Sequence, residues 1–156
     1  MIGARTIPRI LLVDEHPAVR QGLALVLEAA GVGDCREAGG REEALDVAGR
    51  EAPELALVGL SMEREETITL VRELRALRIA VLVFSEEEGP AQVQRAMAAG
   101  ARGYVAKGDT QLGIVRAVRD VLAGWILISP GAAVGLDDAG WPLEARKSSL
   151  EKPSTR

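Results

Sequence analysis

Aromatic residues are scarce in this sequence: two Trp, one Tyr and one Phe, 3% of 156 positions. A core must therefore be filled by Ala, Val, Leu and Ile, as where small-residue helices pack on a sheet. The single cysteine, Cys35, excludes an internal disulfide and agrees with a reducing compartment; it reads as a small buried hydrophobe. The single histidine, His16, has no partner at metal-ligating or catalytic spacing, which leaves it a surface loop position. Basic residues number 19 against 23 acids, a net charge of −4. That lacks the basic surplus with which a dedicated nucleic-acid surface neutralises phosphates. No apolar run approaches the roughly 20 residues needed to span a bilayer. The N-terminal MIGARTIPRILLV has no small-residue cleavage site, so no signal peptide is read. There is no internal repeat and no low-complexity segment. A cytoplasmic protein without a membrane partner is the expectation.

Apolar residues do make up 47% of the chain, enough for a proper core. They fall into short continuous runs and helical stripes. The run Leu55–Val58, between Pro53 and Gly59, reads as a strand buried on both faces, and so does Ile10–Val13, stopped by Asp14, Glu15, His16 and Pro17. Pro17 suits a first helical turn, and Val19, Leu23, Val26 and Leu27 follow at helical spacing up to Gly31. Further strands are predicted over 35–38, 79–84 and 102–106, and helices over 41–50, 65–77, 91–99 and 110–123. Five strands alternating with five helices over short connections predict a doubly wound parallel α/β sheet with helices on both faces. After Gly124 comes the apolar Trp125–Ile128, then Ser129-Pro130-Gly131 breaks it. The domain is therefore expected over 1–130. The tail, 131–156, balances four acids (Asp137, Asp138, Glu144, Glu151) against four bases (Arg146, Lys147, Lys152, Arg156) and is expected to be irregular.

In such a sheet, function sits at the carboxyl ends of the central strands. Asp14 and Glu15 follow the first strand, Gly59 ends the third, Ser85 follows the fourth and Lys107 follows the fifth. Two carboxylates, a hydroxyl and an ammonium on one edge suit a hard cation and a phosphoryl group. Glu63, Glu65, Glu66 and Glu86–Glu88 lie beside the same edge, which should be net negative. Simpler readings stand beside these: Asp14 and Glu15 as solvated acids before a helix N-terminus, Lys107 as an ion-pair partner of Asp14, Ser85 as a helix cap, Tyr104 as a core aromatic. Trp125 reads as a cover for the domain end and Trp141 as an exposed anchor.

The segments ILLVDEHPAVRQGL, PELALVGLSM, VLVFS and AAGARGYVAKGD, with the following helix through ISP, resemble a response-regulator receiver domain of the NarL/FixJ type. They cover about residues 8–130 in the family's order and spacing. The resemblance implies a CheY-like, flavodoxin-type fold with strand order 2-1-3-4-5. It implies that Asp14 and Glu15 bind Mg²⁺ with the Ser61 carbonyl. It makes Ser85 the switch hydroxyl, Tyr104 the switch aromatic and Lys107 the residue that senses a phosphoryl group. Gly59 stands where the family places its phosphoacceptor aspartate. Glycine has no nucleophile for covalent phosphoryl transfer, and a Mg²⁺ site without the central carboxylate should be weak or lost. Glu63 departs from the family as well, replacing an expected proline.

The expectation is a stand-alone, atypical (pseudo-)receiver that is not an enzyme and needs no cofactor. It would work in two-component signalling, phosphorelay or transcription control by phosphorylation-independent protein–protein contact. Its partner would be a sensor kinase, a regulator or another signalling protein, or a second copy in a homodimer. Family output surfaces imply an interaction face including Arg95, Tyr104, Arg116 and Arg119, or helices one and five in dimers. Three other readings compete. The chain is the receiver half of a NarL-type DNA-binding regulator without its helix-turn-helix domain, so that it binds no nucleic acid itself. It is a receiver-fold module binding a non-phosphate ligand. Or it is a flavodoxin-type enzyme, which would need a phosphate-cradling glycine loop where DEHPAV offers acids.

Overall fold

The computed structural model describes residues 6–59, 64–86, 90–106 and 111–128. The elements in order are β1 (Arg9–Val13), α1 (Pro17–Ala29), β2 (Asp34–Ala38), α2 (Arg41–Glu51), β3 (Leu55–Gly59) and α3 (Arg64–Ala76). They continue with β4 (Ala80–Ser85), α4 (Pro90–Ala99), β5 (Gly103–Ala106), α5 (Gln111–Leu122) and β6 (Leu127–Ile128). One sheet runs β2-β1-β3-β4-β5-β6 with every pair parallel.

The expected order holds for five strands, but the sheet has six, which corrects the five-stranded expectation. Two residues of Trp125–Ile128 form β6, too short for any periodic signal. The strand forms because the open edge of β5 accepts it: the Leu127 amide donates to the Arg102 carbonyl at 3.0 Å. Gly103 makes room. A β-carbon there would lie 2.7 Å from Leu82 Cδ1 and 3.0 Å from the Leu127 carbonyl oxygen, so a side chain at 103 would crowd the approach of β4, β5 and β6.

Alternation along the strands splits the core into two layers. Leu11, Val13, Ala56, Val58, Val81 and Val83 face α2, α3 and α4, joining Ala44, Ile68, Leu74 and Val93. Ile10, Leu12, Leu55, Leu57, Leu82 and Phe84 face α1 and α5, joining Leu27, Ile114, Val115 and Val118. All five residues of β3 are buried, which is why its sequence is an unbroken apolar run rather than an alternating one. Ala, Val, Leu and Ile do fill the interior. Arg41 ties α2 to α3 through a two-pronged ion pair with Glu73, at 2.7 and 2.6 Å. The Glu73 carboxyl is held below its ordinary range mainly by those hydrogen bonds. Among the described residues no helix is long and apolar enough to cross a membrane.

Candidate functional site

β1 has β2 on one side and β3 on the other, so the chain changes direction across the sheet at β1 and β3. Their carboxyl ends open onto the crevice where this fold binds ligands. Of the described residues, three polar ones are buried: Asp14, Thr67 and Ser85. Two of the three, Asp14 and Ser85, stand at this edge.

The register of β1 and β3 pairs Val13 with Val58. The next residue on each strand is Asp14 and Gly59, which makes them side-by-side neighbours. Asp14 uses the room that glycine leaves. A β-carbon built on Gly59 would lie 2.1 Å from Asp14 Oδ2 and 3.0 Å from its Cγ. The space that a side chain at 59 would enter is filled by the carboxylate of Asp14.

That carboxylate is held in place. Its Oδ1 accepts the His16 backbone N–H at 2.8 Å, a local Asx turn at the start of α1, and lies 3.0 Å from His16 Nδ1. Arg20 Nη1 donates to the Asp14 carbonyl at 2.7 Å, and Arg20 Nε to Glu37 at 3.0 Å, tying the loop to the end of β2. The solvated reading of this acid is therefore corrected: Asp14 is 1% exposed. Glu15, one residue on, is exposed. The two acids thus part company, one inward and one outward, and no group of three His, Cys, Asp or Glu among the described residues could hold a metal ion. His16 is a surface residue as expected, but it is bonded to Asp14 rather than idle.

Ser85 is the last residue of β4, fully buried and paired in register with Ala106. It is no helix cap, because α4 begins only at Pro90. Tyr104 is 0% exposed and shares the core layer of Val13, Val58 and Val83, which sit in register with it across the sheet. Its ring therefore supplies nothing to an outer interaction face. Ser61 and Lys107 lie outside the described residues, as do Glu63, Trp141 and the tail 131–156.

The remaining face residues separate. Arg95 on α4 pairs with Glu65 on α3, which offsets part of the expected negative charge. Arg116 is exposed on α5, and Arg119 donates to the Ala30 carbonyl at 3.2 Å, binding α5 to the end of α1. Cys35 is half-buried, and burial first, then the nearby carboxylates of Glu28, Asp34 and Glu37, push its thiol up to about 12. It is no nucleophile at neutral pH.

Sequence reasoning offered helices one and five as a dimer surface but named none of the apolar residues between them. Leu25 is 71% exposed and Leu112 68% exposed, and they border a hollow of about 460 Å³ with Val26, Ala29 and Val115. The available signal was Leu25 itself, an apolar residue off the stripe of Val19, Leu23, Val26 and Leu27.

Comparison with known proteins agrees with this fold. Residues 10–119 match the response regulator receiver domain family. The chain belongs to that family. Among curated relatives, the transcriptional activator protein ExaE of Pseudomonas putida is 38% identical over 130 residues, 81% of this chain and 61% of ExaE. The response regulator GacA of Pseudomonas aeruginosa is 33% identical over 158 residues, 95% of this chain and 71% of GacA. The chain thus spans between three fifths and three quarters of the length of these two relatives. A two-component response regulator of the LuxR family from Aurantimonas superposes with a TM-score of 0.79 at 29% identity, covering 86% of this chain and 99% of that one. Like other members, this receiver domain is a signalling module built on the CheY-like sheet.

Proposed function

We propose that this receiver domain signals through protein–protein contact without being phosphorylated. The observation that carries the reading is the packing of Asp14 on Gly59, with Oδ2 2.1 Å from the point where a β-carbon at 59 would stand. Phosphoryl transfer to a receiver needs a carboxylate at the end of β3, and position 59 carries only hydrogen. The neighbouring carboxylate does not substitute for it. Asp14 Oδ1 already accepts from the His16 amide, and Oδ2 is turned against β3. Mg²⁺ binding is correspondingly weak or lost, since Glu15 points away from Asp14's buried position.

Output then rests on surfaces fixed by folding. The apolar surface of Leu25 and Leu112 on α1 and α5 suits a helical face of a partner protein or of a second copy. Exposed Arg116 and the partly exposed Arg95 suit a polar rim.

Intact-mass measurement after treatment with acetyl phosphate and Mg²⁺ tests the reading. No gain of about 80 Da, one phosphoryl group, is expected. An adduct mapped by peptide analysis to this cleft overturns it. Beryllofluoride with Mg²⁺ should likewise leave the amide resonances around residue 59 unmoved.

A second reading is favoured by the relatives' lengths. This chain spans 61% of ExaE, a transcriptional activator, so it is also suited to be the receiver half of a DNA-binding regulator. In that case the α1–α5 face meets a DNA-binding module or its dimer mate. A gel shift at low salt with this chain alone should show no specific DNA complex in either reading.

A further inference from the structure

The end of the sheet opposite Asp14 and Gly59 carries a second concentration of charge, of opposite sign. Arg75 near the end of α3, Arg78 in the turn after it and Arg102 before β5 line an open hollow of about 360 Å³, floored by Ile79 and Ala80. No acidic side chain is among its described lining residues.

The absence of acids is informative in a chain with 23 of them and a net charge of −4. Six of the other arginines, Arg9, Arg20, Arg36, Arg41, Arg50 and Arg95, each pair with a carboxylate. The three around the hollow have no such partner among the described residues. Arg75 and Arg78 are exposed and Arg102 is half-buried, so water screens their mutual repulsion, and an anion in the hollow gains attraction from all three.

Each arginine is also placed by the backbone. The stem of Arg75 lies across Gly100, where φ is +113° and a β-carbon would sit 3.1 Å from both Cγ and Cδ of Arg75. Its Nη1 reaches the Gly100 carbonyl at 3.5 Å, the long limit of a hydrogen bond. Arg78 occupies the left-handed region at φ 64°, its amide donating to the Arg75 carbonyl at 2.8 Å. That conformation is the left-handed cap of α3, completed by the Ile79 amide donating to the Leu74 carbonyl at 3.1 Å, and it leaves Arg78 lining the hollow. Arg102 is pinned between strands: its amide donates to Val81 at 2.8 Å, and its carbonyl accepts from Leu127 at 3.0 Å.

We infer that this hollow is an anion-binding site for a phosphorylated small molecule. A guanidinium binds carboxylate and phosphate alike through its planar fork. A terminal phosphate, however, offers three oxygens and close to two charges, so one group can engage all three arginines where a carboxylate offers two oxygens and one charge. The hollow is open, and its volume of about 360 Å³ exceeds what a lone phosphate fills. Ile79 and Ala80 supply an apolar floor for the organic part. The site lies at the amino ends of β4 and β5, away from the Asp14 edge, so its occupancy does not depend on chemistry at Gly59.

Amide and arginine side-chain resonances of the full chain, followed on titration with inorganic pyrophosphate at low ionic strength, test the inference. Saturable shifts centred on Arg75, Arg78, Ala80 and Arg102 are expected. The double variant R75Q/R102Q should weaken binding at least about tenfold, while R50Q, on the outer face of α2, leaves it unchanged. Circular dichroism confirms that both variants fold. Citrate, of comparable charge but without phosphate, should bind at least about tenfold more weakly than pyrophosphate. The inference fails if pyrophosphate gives no saturable shift below about 10 mM, if R50Q loses binding equally, or if citrate binds as well as pyrophosphate.

Discussion

Replacing Gly59 by alanine puts a methyl carbon 2.1 Å from Asp14 Oδ2. Ordinary contact needs well over 3 Å, so the carboxylate has to withdraw by more than ~1 Å. The backbone at 59 raises no objection, because its φ lies outside the left-handed region. All of the cost therefore falls on Asp14. Turning it away breaks its bond to the His16 amide, 2.8 Å long, and its contact with His16 Nδ1 at 3.0 Å. A hydrogen bond to a charged group contributes about 1.5–3 kcal/mol, and exchanging glycine for alanine inside a strand returns about 0.5–1 kcal/mol. Gly59→Ala should then destabilise by about 1–2 kcal/mol. In an Asp14→Ala background the clash is gone, and the same replacement should be neutral or slightly stabilising. The expected coupling in the double-mutant cycle is about 2–3 kcal/mol, read from urea unfolding followed by far-UV circular dichroism. Gly59→Asp should cost more, with a pH signature. Two carboxylates forced into one buried site raise the affinity of one for a proton, so the loss deepens as pH rises and eases as pH falls. Additivity of Gly59→Ala and Asp14→Ala within about 0.5 kcal/mol refutes the packing argument.

Other perturbations follow from contacts described above. Glu73→Gln should weaken the fold at pH 7. Because folding lowers the Glu73 carboxyl from its ordinary value of 4.5, its contribution is complete above that value and disappears as pH falls through the lower folded one, so variant and parent should converge in acid. An unchanged gap at pH 3 would contradict this. Cys35, with its thiol pushed up to about 12, should react with iodoacetamide at pH 8 roughly a hundredfold more slowly than free cysteine; equal rates would show the thiol to be exposed. Gly103→Val should destabilise by about 2–4 kcal/mol through contact with Leu82 and the Leu127 carbonyl, and loss of hydrogen-exchange protection at the Leu127 amide is the local readout.

The architecture was largely legible because burial on both faces leaves a plain trace. Leu55–Val58 and Ile10–Val13 are unbroken apolar runs between breakers, and a residue buried on either face has no reason to be polar. β6 left no such trace, since two residues carry no period and their pairing was decided by the open edge of β5. The site was legible in part. Position along the strands located Asp14, Gly59 and Ser85 at one edge, but not the direction of their side chains. That Asp14 turns inward onto Gly59 follows from the pairing of Val13 with Val58, which only the assembled sheet supplies. Tyr104 went inward for the same reason, sharing a face with Val58 and Val83. The arginines of the hollow lie on α3, in the turn after it and in the connection before β5, and the sheet brought them together.

The first edge of the sheet has a bearing on how copies of this protein can meet. β2 reads Asp34, Cys35, Arg36, Glu37, Ala38, and its charged residues are already engaged: Arg36 with Asp34 and Glu51, Glu37 with Arg20. A foreign strand laid alongside would have to disrupt those pairs to gain backbone hydrogen bonds, the device by which natural sheets resist lateral growth. Any self-association is thereby steered from this border toward the helical flanks, where it stays reversible and finite rather than fibrous.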